Sequence, residues 1–353
     1  MIGTTKGPLV LLFYDGYEWR ARERLIGRLA ARARKEARFI YRMLSRKQVF
    51  TGYYASFLAL RRALESIGCD VRVNDFRAAR SMPDYPIGVC GYPSVLAAVQ
   101  LPNPIVFGPG DIGEDSSPET QPGVHVLLRD SDWQQQLYPA WGEKAAVWFS
   151  PIDPKAWPDQ STQPKSVDVL IYDKIYRDRP KFVASVLERL IAHLEKKQLS
   201  WAVLRYGRHH SSDFKSALRT AKAMAFLSHH ETQGRAYQEA LACGVPVFAW
   251  NERKFLDPTL GKLAPANLQV SSVPYFDERC GRQFEVANIE REFDIFWAAR
   301  EHYRPRQFII DRFMPESRAQ AYLDFYKRAG AERMSDQASF GPSGPAEPIA
   351  HGR

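Results

Sequence analysis

Residues 228–249 read SHHETQGRAYQEALACGVPVFA, and this stretch predicts two strands joined by a loop and a helix. An apolar segment at 223–227 leads into the polar turn, and a second apolar segment at 245–249 follows the helix. The first turn of such a helix has unpaired backbone N–H groups and the positive end of the helix dipole, which suit a phosphate. The carboxylates of Glu231 and Glu239 suit sugar hydroxyls. The stretch therefore predicts a nucleotide-sugar site.

Length and composition indicate a globular protein with two domains. The chain has 353 residues, of which 45% are apolar and 25% are charged. No apolar run approaches the ~20 residues that span a bilayer. The cysteines lack the paired spacing of a metal site: Cys69, Cys90, Cys243 and Cys280. We therefore expect a cytoplasmic protein with reduced cysteines and no metal ion.

Predicted strands and helices alternate through both halves of the chain. In the first half, a strand at 9–14 and a helix at 54–67 begin the series. In the second half, a strand at 167–172 is followed by a helix at 181–197 with apolar residues at helical spacing. This alternation predicts mostly parallel sheets covered by helices, hence an α/β fold of two Rossmann-like domains that face each other across a cleft.

The predicted boundaries follow the proline content. Residues 150–164 contain four prolines and read as a linker between domains. We expect an N-terminal domain over 1–155 and a C-terminal nucleotide-sugar domain over 160–310. A C-terminal helix over 311–330 and a disordered tail over 331–353, rich in Ser, Gly, Pro and Ala, complete the prediction.

The loop before the helix is suited to a close ligand. Glu231 and Glu239 are eight residues apart, about 12 Å along a helix, so a long substrate could touch both. Gly234 removes a side chain where a backbone would approach the ligand. With these features the segment 228–249 resembles the donor-site motif of retaining glycosyltransferases of family 4, which have the GT-B fold. A looser resemblance covers most of residues 50–328.

The resemblance implies roles for the residues of this motif. The first glutamate, Glu231, would contact the donor sugar near the reacting carbon. The second, Glu239, would hold the ribose. Backbone groups of Thr232, Gln233 and Gly234 would meet the sugar and the diphosphate.

The family also neutralises the leaving diphosphate with a basic pair after the first strand of the C-terminal domain. The usual Gly-Arg and Lys-Gly pattern is absent here, and Lys174 and Arg179 are the best candidates, with Arg177 third. A diphosphate leaving group requires some cation nearby. Gly207 follows a strand where the family places the nucleotide base. Gly52 is a candidate for the glycine near the donor phosphate, with Gly16 as the alternative.

The net charge of +9 is concentrated near the N-terminus. Residues 18–47 hold 11 Lys or Arg against 3 Glu, and they read as an amphipathic helix inserted in the first domain. Three interpretations stay open: a helix on an anionic membrane, a nucleic-acid patch, or a helix packed on its own domain. Many sugar transferases act on lipid-linked acceptors, which favours the membrane at the inner face.

The predicted function is glycosyl transfer with retention from a nucleotide sugar to a glycan or lipid-linked acceptor, in surface polysaccharide or lipopolysaccharide synthesis. The nucleotide sugar is a substrate, so no cofactor is expected, and no nucleic-acid partner. The alternatives are a nucleotide-sugar epimerase of the same fold and a non-catalytic protein that binds sugars or nucleic acid.

Overall fold

The computed structural model describes residues 7–15, 25–45, 52–256 and 264–339. It contains two separate sheets in which every paired strand is parallel. The predicted α/β architecture with two Rossmann-like domains is confirmed. The proposed limits of these domains stay a prediction.

The first sheet has six strands in the order β2-β1-β3-β4-β5-β6. Its strands are β1 Leu9–Tyr14, β2 Asp70–Val73, β3 Ile87–Gly91, β4 Ile105–Gly110, β5 Val124–Arg129 and β6 Ala145–Val147. Strand β1 has the sequence LVLLFY, and five of its six residues are buried. A continuous apolar run of this kind is expected for a parallel strand that is covered on both faces.

The second sheet has five strands in the order β11-β10-β9-β7-β8. Its strands are β7 Val167–Lys174, β8 Trp201–Arg205, β9 Ala221–Ser228, β10 Val247–Trp250 and β11 Gly281–Phe284. Strand β7 pairs with β9 along its whole length, from Val167 opposite Ala221 to Lys174 opposite Ser228. This register brings the ends of the two strands together.

Helices connect the strands and cover both sheets. Those of the first part are α1 Leu25–Leu44, α2 Gly52–Ser66, α3 Phe76–Ser81, α4 Pro93–Ala98 and α5 Asp132–Gln135. Those of the second part are α6 Arg179–Phe182, α7 Arg189–Lys196, α8 Ser211–Thr220, α9 Arg235–Ala242, α10 Ile289–Ala299, α11 Pro305–Arg312 and α12 Pro315–Ser339. A π-helical segment over 183–188 joins α6 to α7. No helix among the described residues is long and apolar enough to cross a membrane.

The C-terminal helix α12 returns to the first sheet. The hydroxyl of Tyr326 accepts a hydrogen bond from the backbone N–H of Leu11 at 3.0 Å. The indole N–H of Trp148 donates to the carbonyl of Arg318 at 3.0 Å. The helix continues to Ser339, so the prediction of disorder from residue 331 is wrong for 331–339, where the backbone prolongs α12. Residues 340–353 of the predicted tail lie outside the described residues.

Helix α1 occupies Leu25–Leu44 of the predicted insertion 18–47. The positions 16–24 and 46–51, which include Gly16, lie outside the described residues. Large apolar side chains on α1 are exposed to solvent, with 63% of Leu29, 55% of Ile40 and 81% of Leu44 accessible. The helix therefore does not bury these side chains against its own domain.

The carboxyl ends of the two sheets face each other. The indole N–H of Trp133, just after β5, donates to the carbonyl of Glu231, just after β9, at 3.0 Å. The hydroxyl of Tyr275 donates to the carbonyl of Asp130. Ligands of open parallel sheets bind at the carboxyl ends of the strands. These contacts therefore lie where a ligand site is expected.

Candidate functional site

Glu231 and Lys174 form the centre of this region. Lys174 ends β7, and its Nζ lies 2.7 Å from Oε2 of Glu231. The hydroxyl of Ser228, the last residue of β9, donates to Oε1 of Glu231 at 2.7 Å. Both oxygens of the carboxylate are therefore held, and the side chain has a fixed orientation at the mouth of α9.

The surroundings of Lys174 keep it charged. Burial alone would lower the pKa of Lys174, but the Glu231 carboxylate and Tyr206 outweigh that effect and the pKa is raised. The ammonium nitrogen also lies 4.6 Å from the ring centroid of Tyr206, a distance at which a cation is attracted by the ring face. A permanent positive charge thus lies at the carboxyl end of the second sheet.

The loop between Glu231 and α9 presents backbone donors. Within the described part of the chain, the N–H groups of Thr232, Gln233 and Gly234 donate to no acceptor. Gly234 begins α9 with φ of +80°, and a Cβ there would lie 2.3 Å from a ring carbon of Tyr237. Only glycine fits this turn. The loop therefore combines free donors with the positive end of a helix, as an anion site requires.

The side chain of Gln233 bonds to the segment between the domains, a contact that its position in the motif did not indicate. Its side-chain amide accepts from the N–H of Ser150 at 2.9 Å and donates to the carbonyl of Ser150 at 2.8 Å. It also donates to Oε1 of Gln238 at 2.9 Å. The side chain of Gln233 therefore ties the loop to the segment between the domains, and only its backbone is available to a ligand.

Glu239 is the fifth residue of α9, a little more than one turn along the helix from the loop. Nη2 of Arg235 is 3.4 Å from Oε1 of Glu239, and the carboxylate is partly accessible. Burial raises the pKa of Glu239, although Arg235 and Lys215 oppose it. Among the described residues this ion pair is longer than that of Lys174 with Glu231.

Arg179 is held more tightly than Lys174. Its Nη1 and Nη2 contact the two carboxylate oxygens of Asp173 at 2.9 and 2.6 Å, and Nη1 also donates to the carbonyl of Ile175 at 2.7 Å. Arg177 has its Cζ 5.7 Å from the ring centroid of Tyr176. Of the three predicted cations, the structure brings Lys174 directly to Glu231, whereas Arg179 fixes the chain next to it.

The two predicted glycines lie in different domains, Gly52 in the first and Gly207 in the second. Gly207 follows β8 with φ of +75°, directly after Tyr206, and a Cβ there would meet nothing within 4 Å. Gly52 begins α2, and it too has open space at the Cβ position. Tyr53 packs edge-on against Tyr92 at a centroid distance of 5.4 Å. Gly207 thus has open space beside it, next to Tyr206, whose ring contacts Lys174.

Sequence reasoning missed three residues of the first domain, Arg129, Asp130 and Trp133. Asp130 is buried, which raises its pKa, and the charge of Arg129, a hydrogen bond from the Thr232 side chain and the charge of Arg235 oppose that shift. Arg129 directly precedes Asp130 as the last residue of β5, and Trp133 follows three residues after Asp130 in α5. In the sequence, Arg129 and Asp130 stand out only as a charged pair after an apolar strand. Many turns contain such a pair, so the pattern does not indicate a site.

The described residues include no group of three or more His, Cys, Asp or Glu side chains that could hold a metal ion. In the described part of the chain, the side chains that bond to the Glu231 carboxylate are the Lys174 ammonium and the Ser228 hydroxyl. Such a set suits a substrate that brings negative charge and hydroxyl groups.

The chain is similar in part to one protein family. Residues 184–259, which run from the second domain's first helix through the Glu231 loop to beyond β10, match the family described as "Glycosyl transferases group 1". No curated protein matches this sequence. The match supports a group 1 glycosyltransferase.

Solved structures share the architecture. Sucrose-phosphate synthase from Thermosynechococcus elongatus superposes with a TM-score of 0.56 at 11% identity, covering 92% of this chain and all of its own. AviGT4, a glycosyltransferase involved in avilamycin A biosynthesis, has a TM-score of 0.50 at 12% identity, with 80% of this chain and 91% of its own covered. A glycosyltransferase from Rickettsia africae has a TM-score of 0.50 at 11% identity, with 91% and 98% covered. The predicted GT-B fold is confirmed.

Proposed function

We propose that this protein is a retaining glycosyltransferase that moves a sugar from a nucleotide-sugar donor to a glycan or lipid-linked acceptor. The observation that carries the proposal is the fixed pair of Lys174 and Glu231, 2.7 Å apart at the mouth of α9 and beside the unpaired N–H groups of the loop. A cation and backbone donors suit the diphosphate, and a carboxylate suits the sugar.

The groups of this arrangement can supply what the transfer of a sugar requires. The bond between the sugar and the diphosphate breaks, and its electron pair leaves with the nucleoside diphosphate. Lys174 and the loop N–H groups stabilise that developing charge, with Arg179 fixing the segment that carries Lys174. Glu231 stabilises the cationic sugar from its own side. The acceptor hydroxyl attacks on the same face and gives its proton to the departing phosphate oxygen.

Helix α1 supports a lipid-linked acceptor. Its apolar side chains at 29, 40, 43 and 44 face solvent, whereas Arg38 and Arg42 are only partly exposed. Arg38 lies within electrostatic range of Tyr92, which packs on Tyr53 at the mouth of the first sheet. Arg38 and Arg42 lie on the opposite side of the helix, and the apolar face that is exposed to solvent fits a bilayer. The helix would hold the acceptor half at the inner face of the membrane, for surface polysaccharide or lipopolysaccharide synthesis.

The test is a thermal-shift screen against UDP-, GDP-, ADP- and dTDP-sugars, followed by product analysis with and without an acceptor. We expect nucleotide sugars of one base to raise the Tm of the protein. Release of the nucleoside diphosphate from that donor should require an acceptor. Glu231→Gln is the test variant, and Lys327→Gln on the exposed face of α12 is the matched control. Turnover of the donor without any acceptor would favour an epimerase, and binding without turnover would favour a non-catalytic protein.

A further inference from the structure

Arg129, the last residue of β5, carries a buried charge that forms no ion pair among the described residues, although it acts electrostatically on the neighbouring Asp130. The residue is 1% exposed. Throughout the described ranges, its Nε and Nη1 atoms find no hydrogen-bond partner. The described contact of its guanidinium is with the ring of Tyr138, whose centroid lies 4.8 Å from Cζ.

Such an arrangement is costly for the protein alone. A guanidinium stays charged at every accessible pH, and a buried charge without a partner is strongly unfavourable. An aromatic face compensates only part of that loss. Native proteins retain unpaired buried donors mainly where an ion, a water or a ligand completes the group.

The position of Arg129 indicates what would complete it. The next residue, Asp130, lies beside Thr232, and Trp133 donates to the carbonyl of Glu231 at 3.0 Å. Arg129 therefore ends its strand one residue from the wall of the donor loop. A group held by its guanidinium would belong to a molecule in the cleft between the two sheets.

The nearby charges define the chemistry of that group. Arg129, Asp111 and Glu114 all lie within electrostatic range of Tyr138, and Arg129 opposes the rise that burial causes in the pKa of Asp130. These acids balance part of the guanidinium charge, but none of them bonds to its Nε or Nη1 atoms. The planar donors of arginine match the two oxygens of a carboxylate or a phosphate, and a neutral hydroxyl would leave the charge uncompensated.

We propose that Arg129 binds an oxyanion, a carboxylate or a phosphate-type group, on one of the two sugars that meet at Glu231. The inference rests on the proposed glycosyl transfer and defines its substrate class: a charged sugar. Two sources share this chemistry, because the anion could be part of the donor sugar or of the acceptor.

Matched pairs of probes separate the two sources. For the donor, titration calorimetry compares UDP-glucuronate with UDP-glucose and GDP-mannuronate with GDP-mannose. For the acceptor, the protein saturated with UDP or GDP is titrated with methyl glucuronide, methyl glucoside and glucose 6-phosphate. We expect the wild type to prefer the charged member of one pair by about tenfold or more, the range of a charge-assisted hydrogen bond.

Two variants test whether Arg129 causes the preference. Arg129→Met keeps the volume and removes the charge, so it should abolish the preference while the Tm of the ligand-free protein stays unchanged or rises. Arg129→Lys keeps the charge without the planar fork and should retain a weaker preference. Lys327→Gln is the control for a general loss of positive charge, and it should behave as the wild type.

Distinct outcomes overturn the inference and the proposed function. Equal binding of charged and neutral members by the wild type would overturn the role of Arg129 while leaving glycosyl transfer intact. A fall of many degrees in the Tm of ligand-free Arg129→Met would show that the guanidinium is a structural element instead. Absence of binding to every nucleotide and nucleotide sugar would contradict the proposed function itself.

Discussion

The side-chain amide of Gln233 exchanges two hydrogen bonds with the backbone of Ser150, 83 residues earlier in the chain. One partner lies in the loop that precedes α9, and the other lies in the segment that joins the two sheets. The loop that presents Glu231 is thereby fastened to the region about which the two domains would move.

Gln233→Ala should destabilise the protein and loosen this connection. It would leave the N–H and the carbonyl of Ser150 buried without partners, at a cost of about 1–3 kcal/mol for each such group. The measurement is urea unfolding followed by fluorescence. Gln320→Ala removes an exposed amide that bonds within α12 and should change stability by less than about 0.5 kcal/mol. Equal effects of the two substitutions would contradict the structural role of Gln233.

Glu231→Gln and Glu239→Gln should impair transfer in different ways. The first removes charge where the sugar becomes cationic, so kcat should fall about 100-fold with little change in KM. The second weakens a ribose contact that is similar in ground and transition states, so KM should rise with kcat nearly intact. Steady-state kinetics of both variants decide this. Near-normal activity in both would remove the donor site from this loop.

Lys174→Ala should weaken the binding of a nucleoside diphosphate about tenfold or more, the range of a charge-assisted contact, and leave the binding of the nucleoside nearly unchanged. Arg179→Ala should have a smaller effect of the same kind, because Arg179 acts on the segment through Asp173. Calorimetric titrations with both ligands make the comparison. Equal losses for the diphosphate and the nucleoside would show that neither side chain serves the phosphates.

The stability of the protein should depend on pH through His229. Burial, with the nearby charges of His230 and Arg177, lowers the pKa of His229 to about 4. The unfolded chain, with an ordinary histidine pKa of about 6.5, binds the proton first as the pH falls. The contribution of neutral His229 to the free energy of unfolding is therefore fully present above about pH 6.5. Up to about 3 kcal/mol of that free energy is lost as the pH falls to about 4.

The measurement compares wild type with His229→Phe, which keeps an aromatic ring beside Phe182 and Trp250. The difference between their free energies of unfolding should change in favour of the variant between pH 6.5 and 4. A difference that stays constant over this range would contradict the depressed pKa.

Helix α1 should bind the protein to anionic vesicles. Each Lys or Arg near such a surface contributes about 1 kcal/mol, and salt screens the attraction. Replacement of Arg24, Arg28, Arg32 and Arg38 by Gln should abolish sedimentation with anionic vesicles and leave transfer to a short soluble acceptor largely intact. Replacement of Ile40 and Leu44 by Ser should weaken binding at every salt concentration. Sedimentation that is indifferent to lipid charge in the wild type would contradict a membrane role.

Local patterns predicted the elements that carry the proposed donor site. The helix over 235–242 and the strand that precedes it follow from apolar spacing and from the glycines at 234 and 244, because these signals act within a few residues. The partners of Gln233 and Arg129 depend on how distant segments meet, and their side chains look like ordinary polar residues in the sequence. The exposure of the apolar face of α1 likewise depends on what the rest of the fold leaves uncovered.

The return of α12 to the first sheet constrains how the protein is made. Tyr326 bonds to Leu11 across 315 positions, and Tyr322 and Ala329 are buried with the strands of that sheet. Domains generally fold in order as the chain emerges from the ribosome. Here the first sheet is translated first but packs against α12, which is translated near the end. All strands of the second sheet have emerged once Phe284 has been translated. We therefore expect the second sheet to fold before the first sheet does. The nascent N-terminal half should expose apolar surface during synthesis.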